Sequence, residues 1–335
     1  MVIYTGGSAA VTYDYETAGS YGTTPSTMTN IFGLNQKVTG FSLSNQQLTF
    51  NKLGQVEATK FAYGQQAGSL SVGFVFDDSD SHKIFESLYG TVSGSGSSGT
   101  PYKYPANLGE GNAPTTVTSL TTQVQLQTGA SNKMVRTLNG CVVNSLSLAT
   151  SIGEPLNGSV DMTFGKESTA AVGSSGTITQ QNDAGYDQSG EPYTFAHGDF
   201  KVSNGTSPQS VAEIQECEIT FAQNSELLYG LNSNSAVDTY RRTFDITGRF
   251  KTAWINSDLI QYVIDQVRGN GQELLDASGG VGIELTFTNG TKSIKLELDG
   301  LSIADHNVSG IEPVEPIFEE INWKIKTARI SVVTA

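Results

Sequence analysis

The sequence has 335 residues, of which 33 are acidic and 19 are basic, giving a formal net charge of −14. This charge argues against a protein that grips nucleic acid through its phosphates, because such binding depends on neutralisation by Lys and Arg. The length suits two domains, and 37 Gly with 15 Phe and 13 Tyr are typical of a turn-rich β protein. No stretch has the length and apolar character of a membrane span.

The first half begins with an N-terminal arm, predicted to comprise residues 1–36. Apolar residues at alternate positions of residues 70–76 predict a half-buried strand. This strand leads into a short amphipathic helix predicted at residues 80–89, which Gly90 is expected to end. A Gly/Ser/Pro-rich segment, residues 91–116, is then expected to form a long loop.

The second half contains a similar succession of elements. Residues 168–210, rich in Gly, Ser, Gln and Asn, are predicted to form a linker or second arm. After it, an alternating run at residues 244–250 predicts a strand, and residues 258–268 predict a helix with one apolar face. The order strand, helix, connection and further strands therefore occurs twice.

Two short landmarks recur at a nearly constant spacing. The sequence LNG at residues 138–140 corresponds to LDG at residues 298–300, and EPL at residues 154–156 corresponds to EPI at residues 315–317. The offset is 160 or 161, and an alternating strand follows each Glu-Pro step. An internal duplication explains this spacing; the alternative is that patterning alone makes two β halves look alike.

These elements predict a mainly β protein made of two tandem β-sandwich or β-barrel domains, each with one flanking α-helix. The predicted domains are residues 37–167, which include the long loop, and residues 211–335. Period-2 alternation indicates half-buried and mostly antiparallel strands in both.

No catalytic, cofactor-binding or metal-binding residue is predicted. The three histidines lie in unrelated contexts, and no nucleophile elbow or phosphate-binding loop occurs. Residues 77–80, with the sequence DDSD, begin like a calcium loop but lack its Gly and its final Glu, so helix-start acidity is the preferred interpretation. Cys141 and Cys217 have no metal-ligand spacing and are expected to be free, buried thiols.

The first 90 residues carry a family resemblance. Glu16-Thr17, followed by Tyr21-Gly22-Thr23, resembles an early phrase of the tail tube proteins of tailed, siphovirus-like bacterial or archaeal viruses. Residues 61–90, FAYGQQAGSLSVGFVFDDSDSHKIFESLYG, are similar to the strand and helix that follow in that family. The apparent repeat extends the resemblance over the rest of the chain.

The resemblance implies a structural virion protein that self-assembles into stacked rings forming a hollow tail tube, with no enzymatic activity and no cofactor. If a ring holds six tube domains, a chain with two would form trimeric, pseudo-hexameric rings. The expected partners are further copies of the chain, a tape-measure protein, tail terminator or head-tail connector proteins, tail-tip proteins and viral DNA passing through the lumen. Assembly in the host cytoplasm is expected.

A lumen lined with carboxylates would repel DNA phosphates during ejection. Four acidic strand residues are the candidates for such a lining; the alternative, that each faces outer solvent, stays open. The candidates are Glu284, Glu297, Asp299 and Glu319.

Two other classes of function remain open at this point. One is an extracellular or tail-tip β-sandwich module that binds a receptor, as an adhesin does. The other is a carbohydrate-active β-sandwich enzyme, because paired carboxylates from distant strands are invisible in one sequence. Within the tube class, contractile and non-contractile tails are not distinguished.

Overall fold

The fold is mainly β, as the alternating sequence predicted. A computed structural model describes residues 9–53, 58–90, 92–105, 118–128, 132–172, 190–204, 209–210, 214–253, 281–309 and 317–335. Within these ranges the chain forms 18 strands and one α-helix. The strands of the first half are β1 (Ala9–Tyr15), β2 (Asn30–Ile31), β3 (Leu34–Asn51), β4 (Ala58–Val75), β5 (Tyr102–Tyr104), β6 (Leu120–Thr128), β7 (Asn132–Ser151), β8 (Asn157–Phe164) and β9 (Lys166–Val172). Those of the second half are β10 (Gly198–Asn204), β11 (Gln209–Ser210), β12 (Ile214–Ala222), β13 (Ser225–Tyr229), β14 (Ala236–Arg241), β15 (Asp245–Ala253), β16 (Val281–Asn289), β17 (Lys292–Ser309) and β18 (Phe318–Val333).

Sixteen of these strands form one hydrogen-bonded sheet, and β13 pairs with β14 in a separate hairpin. Eight strands make up what we call the central sheet, in the spatial order β3, β4, β8, β7, β12, β15, β18 and β17. This order consists of two series of four, and in each the chain visits the positions in the order first, second, fourth, third. Every pairing in the central sheet is antiparallel.

Two flanking sheets branch from the central sheet. The first contains β9, β7, β6, β1 and β2, and the second contains β5, β18, β17, β16, β10 and β11. Residues 9–15, expected within the N-terminal arm, therefore form a strand beside β6. Part of the expected linker, residues 198–204, takes the corresponding place beside β16.

β7 and β17 pass from the central sheet into a flanking sheet without a break. Residues 142–149 of β7 pair with β8, whereas residues 132–138 pair with β6. Between these segments Gly140 adopts a φ of +63°, and in β17 Gly300 adopts a φ of +73°. Glycine enters this left-handed region without the steric cost of a Cβ. The bend changes which alternate side chains face the core.

The apolar core lies between the central sheet and the flanking sheets. It is a continuous cluster that combines Leu146 and Val160 of the central sheet with Val124 of the first flanking sheet. The indole of Trp323 is buried over Gly248, where a Cβ would overlap the ring. Close packing of this kind makes the core sensitive to added volume at the glycine.

The predicted first helix is confirmed. A 3₁₀ turn at Ser81–Ile84 continues into helix α1 (Phe85–Tyr89), and Gly90 ends it with a φ of +80° and an N–H that donates to the Glu86 carbonyl. The carboxylate oxygen Oδ1 of buried Asp77 accepts hydrogen bonds from three successive backbone N–H groups at the helix start, at 2.8 to 3.1 Å. Asp77 thus has a structural role as a cap.

The described part of the long loop packs on the second flanking sheet. Its strand β5 pairs with residues 330–332 of β18, and the Thr334 N–H donates to the Gly96 carbonyl at 2.8 Å. The His82 ring stacks on Tyr102 with centroids 4.8 Å apart, and its Nδ1 lies 2.9 Å from the Tyr104 hydroxyl. This loop therefore connects α1 of the first half to the last strand of the chain.

Some predicted features lie outside the described residues. They are the second helix at residues 258–268, the Glu-Pro step at 315–316, and parts of the long loop and the linker. The division into domains at residues 37–167 and 211–335 stays a prediction.

Cys141 and Cys217 are free and buried, as expected. Burial raises the pKa of each thiol to about 12, so the reactive thiolate is scarce at neutral pH. We expect a thiol-specific chromogenic disulfide to label neither cysteine of the folded protein at pH 8 and both after denaturation. Rapid labelling of the native protein would contradict this expectation.

Burial lowers the pKa of His82 from 6.5 to about 4. Between these values the unfolded chain binds more protons than the folded one, so folding stability is complete above pH 6.5 and falls as the pH drops towards 4. The expected loss is about 3 kcal/mol. Urea unfolding of the parent and of a His82→Phe variant should show a shallower pH dependence in the variant; equal slopes would count against this assignment.

Candidate assembly surfaces

The two series of four strands meet at an antiparallel ladder between β7 and β12, which we call the internal junction. Its register runs from Glu216 opposite Ser151 to Ala222 opposite Ser145. On the core side, Ile219 packs opposite Leu148, and both are buried. On the other side the hydroxyls of Ser147 and Thr220 lie 2.7 Å apart. Backbone hydrogen bonds and one buried apolar row thus join the halves.

Two strand edges of the central sheet have no further partner among the described residues. At one end, β3 pairs with β4 alone; at the other, residues 301–309 of β17 pair with β18 alone. Apolar side chains lie partly exposed at both edges: Val38 and Leu43 on β3, at 38 % and 40 %, and Val308 on β17, at 40 %. Unpaired strand edges with exposed apolar groups are sites for pairing with another chain.

The face of the central sheet that points away from the core is polar. It carries hydroxyl side chains together with carboxylates and cations in pairs. Glu218 accepts a hydrogen bond from Arg249 at 2.8 Å, and Lys324 lies 2.7 Å from Asp245. The hydrogen bond from Lys324 holds the pKa of Asp245 below its usual value. This face, which we call the open face, is therefore close to neutral.

A shallow groove of about 350 Å³ lies on the open face across the internal junction. Glu216 and Glu218 line it from β12, and Arg249 and Lys251 line it from β15. Lys251 reaches Glu216 at 3.5 Å and Arg249 reaches Glu218 at 2.8 Å, so each of these cations faces a carboxylate. Each of these four charged side chains forms an ion pair with another of the four.

Three of the four candidate lumen carboxylates lie together on the second flanking sheet. Glu284 on β16 is directly opposite Glu297 on β17, and Asp299 is two residues further along β17. Each has a cationic partner: Lys295 lies 2.9 Å from Glu284 and 2.8 Å from Glu297, and Arg329 lies 2.5 Å from Asp299.

Burial and pairing act on these carboxylates in opposite directions. Burial raises the pKa of Glu284, but hydrogen bonds from Lys295 and Lys201 outweigh it and hold that pKa below the usual value. For Asp299, burial prevails over the attraction of Arg329 and its pKa is raised. Glu319, the fourth candidate, is 1 % exposed and lies opposite Val308 in the central sheet, apart from the other three.

A buried carboxylate ties the N-terminal segment to the bend in β7. Glu16 accepts hydrogen bonds from the backbone N–H groups of Gly22 and Gly140, at 2.7 and 2.8 Å. It also accepts from the hydroxyls of Ser119 and Thr121, at 2.7 and 2.9 Å. Four donors on one buried carboxylate make this residue a strong structural link.

Tyr21 covers the same bend from outside. Its hydroxyl donates to the Gly140 carbonyl at 2.9 Å, and its ring occupies the space that a Cβ at Gly140 would need. Asn139 donates to the Thr24 hydroxyl at 2.7 Å. Within the short phrase Glu16-Thr17…Tyr21-Gly22-Thr23, Glu16 and Tyr21 therefore both contact Gly140, and the Gly22 N–H donates to Glu16.

A sequence model of the phage tail tube protein family matches residues 6–325 of the chain. The match spans the Glu16 phrase, seven of the eight central-sheet strands and the first half of β18. The chain belongs to the phage tail tube protein family. As a tail tube protein it is a structural component of the virion tail, which assembles with itself and with other tail components.

Other comparisons add less. Fifteen chains of solved structures match. One belongs to the cryo-EM structure of the anti-feeding prophage (AFP) baseplate, 6-fold symmetrised, at 10 % sequence identity and a TM-score of 0.29, covering 40 % of this chain and 89 % of that chain. No curated protein sequence matches this one.

The part of the tube protein that the structure describes contains no helix long and apolar enough to cross a bilayer. It also contains no group of three or more His, Cys, Asp or Glu side chains placed to hold a metal ion. The acidic start of α1 is accounted for by the capping role of Asp77.

Replacing Glu16 with Ala should lower the free energy of unfolding by about 3 kcal/mol, because four buried donors lose their acceptor. Gly140→Ala should also destabilise, since the new Cβ meets Tyr21 and φ is positive. Glu154→Ala, at an exposed glutamate, is the matched control and should change stability by less than about 0.5 kcal/mol. Equal denaturation midpoints for Glu16→Ala and Glu154→Ala would refute the structural role of Glu16.

Proposed function

We propose that this chain is the major subunit of a siphovirus-like tail tube and that three copies close each ring. The observation that carries the proposal is the internal junction, which joins the fourth strand of one series to the first strand of the next. The two edges that have no further partner among the described residues, β17 and β3, are again a fourth and a first strand. Repeating the junction between chains would pair β17 of one copy with β3 of its neighbour.

An internal duplication, with tube units at residues 37–167 and 211–335, supports this reading of the edges. β7 has a register shift between Val143 and Ser145, and β17 has one between Ile303 and Asp305, at an offset of 160. The left-handed glycines Gly140 and Gly300 differ by the same number. Three chains would then supply 24 strands, eight from each, to a closed pseudo-sixfold barrel.

The same correspondence fixes the register of the proposed contact. Thr220 faces Ser147 at the internal junction; their equivalents are Ser42 on β3 and Asn307 on β17. One residue further, Phe41 would face Val308 on the core side. The apolar groups that lie exposed at the two edges would thereby become buried, which favours association.

In such a ring the open face lines the lumen, where the tape-measure protein and then viral DNA would pass. Arg249 and Lys324 form ion pairs with Glu218 and Asp245, so their positive charge is compensated and would attract DNA phosphates only weakly. The hydroxyl side chains on this face are uncharged. Glu284, Glu297 and Asp299 would lie on the flanking sheet, away from this face. The subunit acts by assembly, without enzymatic chemistry, and assembles in the host cytoplasm with terminator and tip proteins.

A pair of cysteines tests the register. Directly opposite residues of an antiparallel pair have Cα atoms about 4.5 or 5.5 Å apart, within the range of a disulfide. Ser42→Cys with Asn307→Cys should therefore give covalent dimers and closed covalent trimers on oxidation, seen on a non-reducing gel. Peptide mapping should place the link between the two substituted positions.

Two controls accompany this experiment. Ser147→Cys with Thr220→Cys, at the internal junction, should link within one chain and leave monomers. Ser42→Cys with Asp305→Cys, two residues out of register, should link far less. A predominant covalent hexamer, or rings of six chains in negative-stain averages, would refute the three-copy ring.

A further inference from the structure

Each series of four strands extends into a hairpin of the same length. The first hairpin consists of the parts of β3 and β4 between residues 45 and 66, beyond the pair Ser44 and Ala67; residues 45–53 and 58–66 of it are described. The second hairpin, residues 223–244, contains β13 and β14 and joins β12 to β15 beyond the pair Ala222 and Asp245. Both contain 22 residues, and the ninth residue of each, Leu53 or Leu231, is fully exposed.

The second hairpin folds back over the first half of its own chain. The Tyr229 hydroxyl donates to the Gln66 carbonyl at 2.7 Å, and the Gln66 N–H donates to the Asn234 carbonyl at 2.7 Å. Arg241 donates to the Leu88 carbonyl at the C-terminal end of α1, at 2.6 Å. A cation is favourable there, because the carbonyl end of a helix is partially negative.

The first hairpin continues outward from the sheet and exposes aromatic side chains. Phe61 is 61 % exposed and Tyr63 is 75 % exposed, and both point to one face of the two-stranded ribbon. Leu48, at 41 %, and Phe50, at 53 %, point to the opposite face. Clustered exposed aromatic groups of this size mark a surface that binds another protein.

Position-by-position comparison relates the faces of the two hairpins. Counting back from Ala67 and Asp245, Phe61 corresponds to Thr239 and Tyr63 corresponds to Arg241. Arg241 lies on the face of the second hairpin that contacts the first half. Phe61 and Tyr63 therefore lie on the face that corresponds to this contacting face, and Leu48 lies on the opposite face of the first hairpin.

We propose that the face of the first hairpin bearing Phe61 and Tyr63 packs on the second half, residues 214–335, of a neighbouring copy of this chain. This contact between chains is equivalent to the contact that the second hairpin makes with the first half of its own chain. It rests on the proposed ring, in which β3 of one copy lies beside β17 of the next. The first hairpin is extended in the single chain because the unit that it covers belongs to another molecule.

The test is a double variant, Phe61→Ser with Tyr63→Ser, examined in the full-length protein. Both side chains are exposed, so thermal unfolding of the monomer should be unchanged. The protein concentration at which half of the chains sediment as rings or tubes should rise by about tenfold or more, as expected for loss of an interface aromatic cluster. Leu48→Ser, on the opposite face, is the matched control and should assemble into rings as the parent does.

A crosslink locates the partner surface. A photoreactive phenylalanine analogue at position 63 should link to another copy, within peptides from residues 214–335. Links confined to the same chain, or to residues 9–172 of another copy, would overturn the proposal. So would ring formation by the double variant at the parent's concentration.

The outcomes separate this contact from the ring itself. If Ser42→Cys with Asn307→Cys yields covalent trimers but the double variant assembles normally, the hairpin contact is refuted and the edge pairing stands. If that cysteine pair yields no link between chains, the ring proposal fails and the hairpin contact fails with it.

Discussion

The backbone hydrogen bonds between β7 and β12 are the contact on which the rest of the architecture depends. Strand edges leave N–H and C=O groups that must find partners, and here the two series of four strands satisfy one another along seven residue pairs. The ladder makes one sheet of two units and places their apolar rows in register over a shared core. Its geometry also determines which edges remain available at the two ends.

Much of this fold was accessible from the sequence, and the reasons are local. Alternation predicted the strands around Leu70 and Ile321 because half-buried strands bury every second side chain. Gly90 predicted the end of α1 because a left-handed residue is needed there. The landmarks Gly140 and Gly300 were visible as a repeat, but their role as bends became clear only from their backbone angles.

The surfaces were less accessible, because they depend on pairing between distant strands. Nothing near Glu284 in the sequence indicates that Lys201 and Lys295 flank it, nor that Glu319 is buried while Glu320 is only partly so. The correspondence between the two halves also differs from the one that alternation suggests. Alternation matches the run at residues 70–76 with the run at residues 244–250, so that Leu70 corresponds to Phe244. In the structure Leu70 pairs with β8 as Gly248 pairs with β18, so that Leu70 corresponds to Gly248, four residues later. Alternation shows which side chains of a strand face the core. A shift of the strand by two or four residues keeps the same side chains on that face, so alternation does not determine the register.

The bends at Gly140 and Gly300 also have a mechanical meaning. β7 and β17 each belong to the central sheet and to a flanking sheet, so the two layers are continuous through peptide bonds as well as joined by side-chain packing. The two layers therefore cannot separate at these strands without unfolding of β7 or β17.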